Sequence, residues 1–113
     1  MGISTLELHK KAYYIIQNKK YFSNKVIKVK VRGYSMLPSL KDGDMVYVQI
    51  TNDFNLNDIV LSIVGEKLII HRIIDINGNT ITMKGDNTAP ENFEIIIRDN
   101  IIGKVFEINK RNF

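Results

Sequence analysis

Hydrophobic and polar positions change period once along the chain. Up to about residue 22, Leu6, Leu8, Ala12, Tyr13, Ile15 and Ile16 recur at helical spacing. Ser4 or Thr5 stands where a helix cap is needed, and Glu7 falls in the first turn, where the helix dipole favours negative charge. After Ser23-Asn24 the period drops to two: Val26, Lys28, Lys30 and Arg32 alternate with Ile27, Val29 and Val31, the mark of a strand with one face buried. Residues 43–50 form a second strand entered through the turn Lys41-Asp42-Gly43-Asp44. Residues 58–64 and 67–76 pair as a hairpin about Gly65-Glu66, and Asn77-Gly78-Asn79 turns the chain into Thr80–Met83. A last strand spans Ile101–Ile108 ahead of a polar tail at 109–113, while residues 85–94 show no period, which in a small domain marks a functional segment.

Six short strands with close turns, after one helix, predict a mainly β fold: an antiparallel sandwich or partial barrel. The division expected is an N-terminal amphipathic helix over residues 1–24 and a β domain over 25–113. A chain of 113 residues suits a single domain with one modest core.

The absence of cysteine excludes disulfides and thiolate metal sites, and leans toward a cytoplasmic protein. The two histidines, His9 and His71, are far apart and offer no metal-ligand spacing, and there is no glycine-rich phosphate loop, so no cofactor is expected. Net charge is +4, much of it early, at Lys10, Lys11, Lys19, Lys20, Lys25, Lys28, Lys30 and Arg32. Such a face can simply be solvated, or can meet nucleic acid, an anionic membrane or an acidic peptide. No nucleic-acid motif or aromatic platform accompanies it, so nucleic acid is not expected as a partner. No apolar run approaches the roughly 20 residues that span a bilayer. The N-terminal apolar pieces are broken by Glu7, His9, Lys10 and Lys11, so neither a signal peptide nor an anchor is expected. The basic helix then either lies on the domain or makes a peripheral membrane contact, while His9 reads as a surface residue.

Three residues could carry chemistry together. Ser35 follows Gly33-Tyr34 at the end of a strand, with Pro38 three residues on, so a tight turn can project its hydroxyl and gather backbone N–H groups. Serine alone is an ordinary turn residue, and its hydroxyl needs a base. His71 interrupts an apolar strand run, and its side chain suits proton transfer at neutral pH. Asp86, at the start of the irregular segment with Glu91 and Glu94 nearby, falls near the same open end of the hairpin and is within reach of the imidazole.

Gly-Tyr-Ser-Met-Leu-Pro-Ser-Leu-Lys-Asp-Gly-Asp (33–44), Ile-Ile-His-Arg-Ile-Ile (69–74), and Met-Lys-Gly-Asp-Asn (83–87) followed by Ile-Ile-Gly-Lys-Val (101–105) occur in that order. Together they resemble the motifs of type I signal peptidases, a family related to the self-cleaving repressors. Histidine in place of the bacterial lysine base resembles the archaeal and endoplasmic-reticulum branch. The resemblance implies a serine endopeptidase that removes a leader or signal segment from a precursor peptide bound in extended form. It further implies that Ser35 attacks the carbonyl, that His71 moves the proton and that Asp86 orients His71. Gly33, Ser35 and Met36 would border the oxyanion and substrate site, with the Ser35 N–H on the oxyanion. Asn92 stands where the histidine-type members have their usual acid, so the carboxylate is Asp86 or, one residue shifted, Glu91. Gly33 carries no hydroxyl to supplement the oxyanion hole, which implies slow turnover. The other reading on the same fold is a catalytically weak or inactive peptide-binding or regulatory module.

Overall fold

A computed structural model of the chain describes residues 5–109, and side chains over 10–108. The cap assigned to Ser4, the side chain of His9 and the polar tail after residue 109 lie outside what is described. Seven antiparallel strands make one sheet: β1 (Val26–Lys30), β2 (Met45–Ile50), β3 (Ile59–Val64), β4 (Lys67–Asn77), β5 (Thr80–Lys84), β6 (Phe93–Ile97) and β7 (Ile101–Asn109). Their order is β1-β2-β7-β3-β4-β5-β6, so the last strand enters between β2 and β3, and β1 and β6 form the two edges. The sheet curls into half a barrel, and of the two architectures expected it is the partial barrel that forms.

Both predicted hairpins are present, with Val64 opposite Lys67 and Asn77 opposite Thr80. The strand missing from the sequence reading is β6. Its Phe93, Ile95 and Ile97 are exposed while Ile96 is buried, so apolar residues occupy both faces and the usual alternation is erased. Curvature comes from register shifts that leave Ile74 in β4 and Phe106 in β7 unpaired, two exposed apolar residues at bulges that bend their strands.

The predicted single helix is two, α1 (Thr5–Gln17) and α2 (Lys19–Phe22), broken at Asn18, whose amide donates back to the Tyr14 carbonyl at 2.9 Å. Ala12 and Ile15 pack into a core cluster with Val29, Val31, Met36, Leu40, Val46, Val48 and Leu61. Tyr13, expected on that apolar side, is instead exposed, and its hydroxyl donates to the Gly65 carbonyl at 3.2 Å. The Lys19 ammonium donates to the Ile101 carbonyl at 2.6 Å and lies 5.0 Å from the Phe54 ring centroid, which ties α2 to the sheet. Burial lowers its pKa to about 8, against a smaller opposing pull from Asp99. A second cluster, Phe54, Val60, Ile73, Ile81, Met83, Ile96 and Ile101, fills the other half of the curl. No described helix is long and apolar enough to cross a membrane.

Candidate active site

The chain leaves β1 through Val31 and Arg32 and folds into a tight turn over 33–40, closed by Leu37 N–H to the Tyr34 carbonyl at 3.2 Å and Leu40 N–H to the Met36 carbonyl at 3.0 Å. Gly33 has φ +83°, a conformation that side chains other than glycine's resist, and its N–H donates to Asp42 Oδ1 at 2.7 Å. That N–H is therefore occupied within the turn rather than turned toward an oxyanion. Met36 is buried at 2% exposure and anchors the turn in the core, which leaves the neighbouring Ser35 half-exposed above it.

The second wall is a turn that follows β5. The Asn87 N–H donates to the Ser35 carbonyl at 2.8 Å and its side-chain amide to the Tyr34 carbonyl at 3.1 Å, so residues 85–87 clasp the serine turn. Gly85 lies at the closest point. A Cβ there would stand 2.6 Å from the Ser35 carbonyl oxygen, 2.9 Å from Thr88 Cγ2 and 3.0 Å from His71 Nε2, so only glycine fits.

His71, on β4, is 7% exposed and is fixed from both sides. Its Nε2 lies 3.2 Å from Ser35 Oγ, and its Nδ1 lies 2.5 Å from Glu94 Oε1. The sheet register explains the meeting: Ile73 pairs with Met83, and Met83 with Glu94, so the residue two before Ile73 and the carboxylate on β6 share one face. Gly85, just past the end of β5, leaves room for His71 Nε2 beside the serine turn. A carboxylate on Nδ1 holds the imidazole in the tautomer whose Nε2 lone pair faces the hydroxyl, the arrangement a serine nucleophile requires.

The structure brings Ser35 and His71 together as the sequence led us to expect, and places Asp86 elsewhere. Arg72, the next residue on β4 and so on its opposite face, grips Asp86 with both arms, Nε to Oδ1 at 2.9 Å and Nη2 to Oδ2 at 2.8 Å. Ser39 donates to Oδ2 at 2.5 Å, and Arg72 Nη1 donates to the Asn57 carbonyl at 2.7 Å. The Asp86 carboxylate thus joins the serine turn to β4, and the carboxylate that meets His71 Nδ1 is that of Glu94. Glu91 and Asn92 are exposed in the turn before β6, and Asn92 is held there by its N–H on the Ala89 carbonyl at 2.9 Å. Glu94 had one sequence signal, a lone carboxylate in the otherwise apolar run Phe93–Ile97. Arg72, Ser39 and Asn87 lay inside the quoted motifs but carried no assigned role.

The guanidinium of Arg72 holds the Asp86 carboxyl below the usual carboxylate range, against the opposing effect of burial and with help from the Ser39 hydroxyl; the same bond raises the pKa of Arg72. A folded-state pKa below the unfolded one contributes stability that is complete above the ordinary carboxyl range, near pH 4, and is lost as pH falls through the lower folded value. Acid unfolding followed by circular dichroism should show a loss of stability below about pH 4 that is diminished in Asp86→Asn. Equal acid profiles for the two proteins would contradict the pairing.

Beside the serine runs a cleft of about 340 Å³, with Val29–Arg32 along one wall, Leu68–His71 along the other, and Met36 and Leu61 beneath. Both walls offer unpaired backbone. β1 is an edge strand, and β5 pairs with β4 only from Arg72 onward, leaving Lys67–His71 open on that side. Among the described residues, the Ser35 N–H also carries no hydrogen bond.

A nucleophile turn, a histidine at hydrogen-bond distance and an apolar cleft between two open strand edges agree with one further finding: the family model described as Peptidase S24-like matches residues 1–106. The chain belongs to the S24-like peptidase family. No curated protein matches it. Membership accounts for the mainly β domain and makes the chain a serine-type peptidase in kind. Within the family's frame, the half-barrel brings β1, which leads into the Ser35 turn, and the strand that carries His71 to opposite sides of one cleft.

Proposed function

We propose that the protein is a serine endopeptidase of the signal-peptidase type, on the histidine-using branch, that removes a leader or signal segment from a precursor peptide. The observation that carries the reading is the relay Ser35 Oγ–His71 Nε2 at 3.2 Å and His71 Nδ1–Glu94 Oε1 at 2.5 Å. Ser35 Oγ attacks the scissile carbonyl as its proton passes to Nε2. The Ser35 N–H donates to the oxyanion, and Glu94 stabilises the imidazolium. The imidazolium returns the proton to the departing amine as the C–N bond breaks. Water, deprotonated by the same nitrogen, then releases the acyl group from Ser35. The substrate enters as an extended strand, its backbone hydrogen-bonding to β1 and to the open stretch of β4. Apolar walls at Val29, Val31, Met36 and Leu61 favour small aliphatic side chains on the inward positions.

A serine-directed fluorophosphonate tests this without knowledge of the natural precursor. The probe should form one adduct, mapped by mass spectrometry to Ser35 and absent from Ser39 and Ser62, and His71→Ala should suppress it. An unmodified Ser35 after prolonged incubation would favour the alternative, a peptide-binding module without turnover.

A further inference from the structure

Charge along the cleft is one-sided. Along β1 the residues alternate, Val29 and Val31 buried and Lys28, Lys30 and Arg32 exposed, so beside the cleft the inner row is apolar and the outer row, from Lys28 to Arg32, is basic. Lys28 leans back across the sheet, its ammonium 6.0 Å from the Tyr47 ring centroid on β2. Lys30 and Arg32 line the cleft itself. Among the described residues neither forms an ion pair: the two pairs present are His71–Glu94 and Arg72–Asp86. The carboxylates nearest in sequence are turned onto backbone, Asp42 accepting from the Gly33 N–H at 2.7 Å and Asp44 from the Lys41 N–H at 2.9 Å.

A strand added to the free edge of β1 repeats its alternation. Side chains facing inward meet the apolar floor, and those facing outward lie beside Lys30 and Arg32 at cross-strand distance. We infer that the cleft selects extended peptides carrying acidic side chains at the outward-facing positions around the cleavage site, with Lys30 and Arg32 as the specificity-determining residues. This rests on the peptidase reading for the place of the substrate, and on the basic outer row for its charge. The substrate class is an acidic, alternately apolar segment.

The test uses three dye-labelled peptides with the same small aliphatic residues at alternate positions and Glu, Gln or Lys at the others, bound to Ser35→Ala and followed by fluorescence anisotropy. Exposed charge pairs are individually modest, so two together make the Glu peptide bind about 5- to 10-fold tighter than the Gln peptide at low salt, with the Lys peptide weakest. The preference shrinks as salt shortens the screening length from about 30 Å at 0.01 M to about 3 Å at 1 M. Lys30→Glu with Arg32→Glu reverses the order. Lys20→Glu, a charge reversal on α2 outside the cleft, leaves it in place. Equal affinity for the three peptides, or an unchanged preference in the doubly reversed protein, overturns the inference, and failure of every peptide to bind overturns it together with the peptidase reading. Cleavage by the wild type separates the two claims. Three peptides cut with equal kcat/KM remove the selectivity and leave the peptidase; acid-selective binding with no cleavage does the reverse.

Discussion

Ser35→Ala and His71→Ala should each lower kcat for peptide cleavage by about four to six orders of magnitude, and the double variant should be no slower than the worse single one. In the proposed mechanism the two side chains act as one device. Without Nε2 at 3.2 Å the hydroxyl keeps its proton, and without the hydroxyl the base has nothing to activate but water. Residual activity then reflects binding in the cleft and the Ser35 N–H, which survives the alanine change. The variants differ in stability. Ser35 is half-exposed and, among the described residues, its hydroxyl meets only His71, so its removal leaves the melting temperature nearly unchanged. His71 is buried and shields the Glu94 carboxylate, so His71→Ala also melts earlier, and kinetics on protein shown to be folded at the assay temperature are the proper comparison. Losses that multiply in the double variant would mean that the residues act independently, and the relay would be wrong.

How far the sequence reached is best judged strand by strand. β1 to β5 and β7 announced themselves because each has a buried and a wet face or a strong turn beside it, and the half-barrel followed from their number and spacing. β6 lacked both signals. Its exposed Phe93, Ile95 and Ile97 hide the two-residue period, and the preceding turn is built from Thr88–Asn92 rather than from a short glycine loop. Losing that strand also lost its register, and it is the pairing of Met83 with Glu94 that carries a carboxylate to His71. Ser35 and His71 were legible as candidates because that reading depends on residue type in a local setting, and the structure sets them 3.2 Å apart. The carboxylate that meets His71 depends on which of three nearby ones a register delivers, and Asp86 was the nearest in the chain but faced Arg72. The helix break at Asn18 is a local side-chain bond to the Tyr14 carbonyl, and the tie of Lys19 to Ile101 is tertiary; neither left a trace in the apolar periodicity.

The two carboxylates are separable by experiment because each fails in its own way. Glu94→Gln should lower kcat by about a hundred- to ten-thousand-fold with little change in substrate affinity, since an amide keeps the shape but no longer fixes the imidazole tautomer or balances the imidazolium. The amide group can donate to Nδ1, which places the ring proton on Nε2 and turns the base into a donor facing Ser35. Asp86→Asn should cost stability instead. It removes the charged partner of a half-buried bidentate arginine, an effect of about 1–3 kcal/mol, or several degrees in melting temperature for a domain this size. Its kcat falls less than that of Glu94→Gln, because the serine turn is still held by the Asn87 bonds to the Ser35 and Tyr34 carbonyls. Measuring kcat and melting temperature for both variants gives four values, and the expected pattern is crossed: Glu94→Gln slow and stable, Asp86→Asn faster and unstable. The opposite crossing would return the orienting role to Asp86 and leave Glu94 as a structural acid on an edge strand. Because Glu94 sits on β6, an edge strand paired on one side alone, its grip on His71 is only as firm as the β5–β6 ladder. Weakening that ladder at Thr82 or Ile95, away from every reacting atom, lowers kcat before it unfolds the domain.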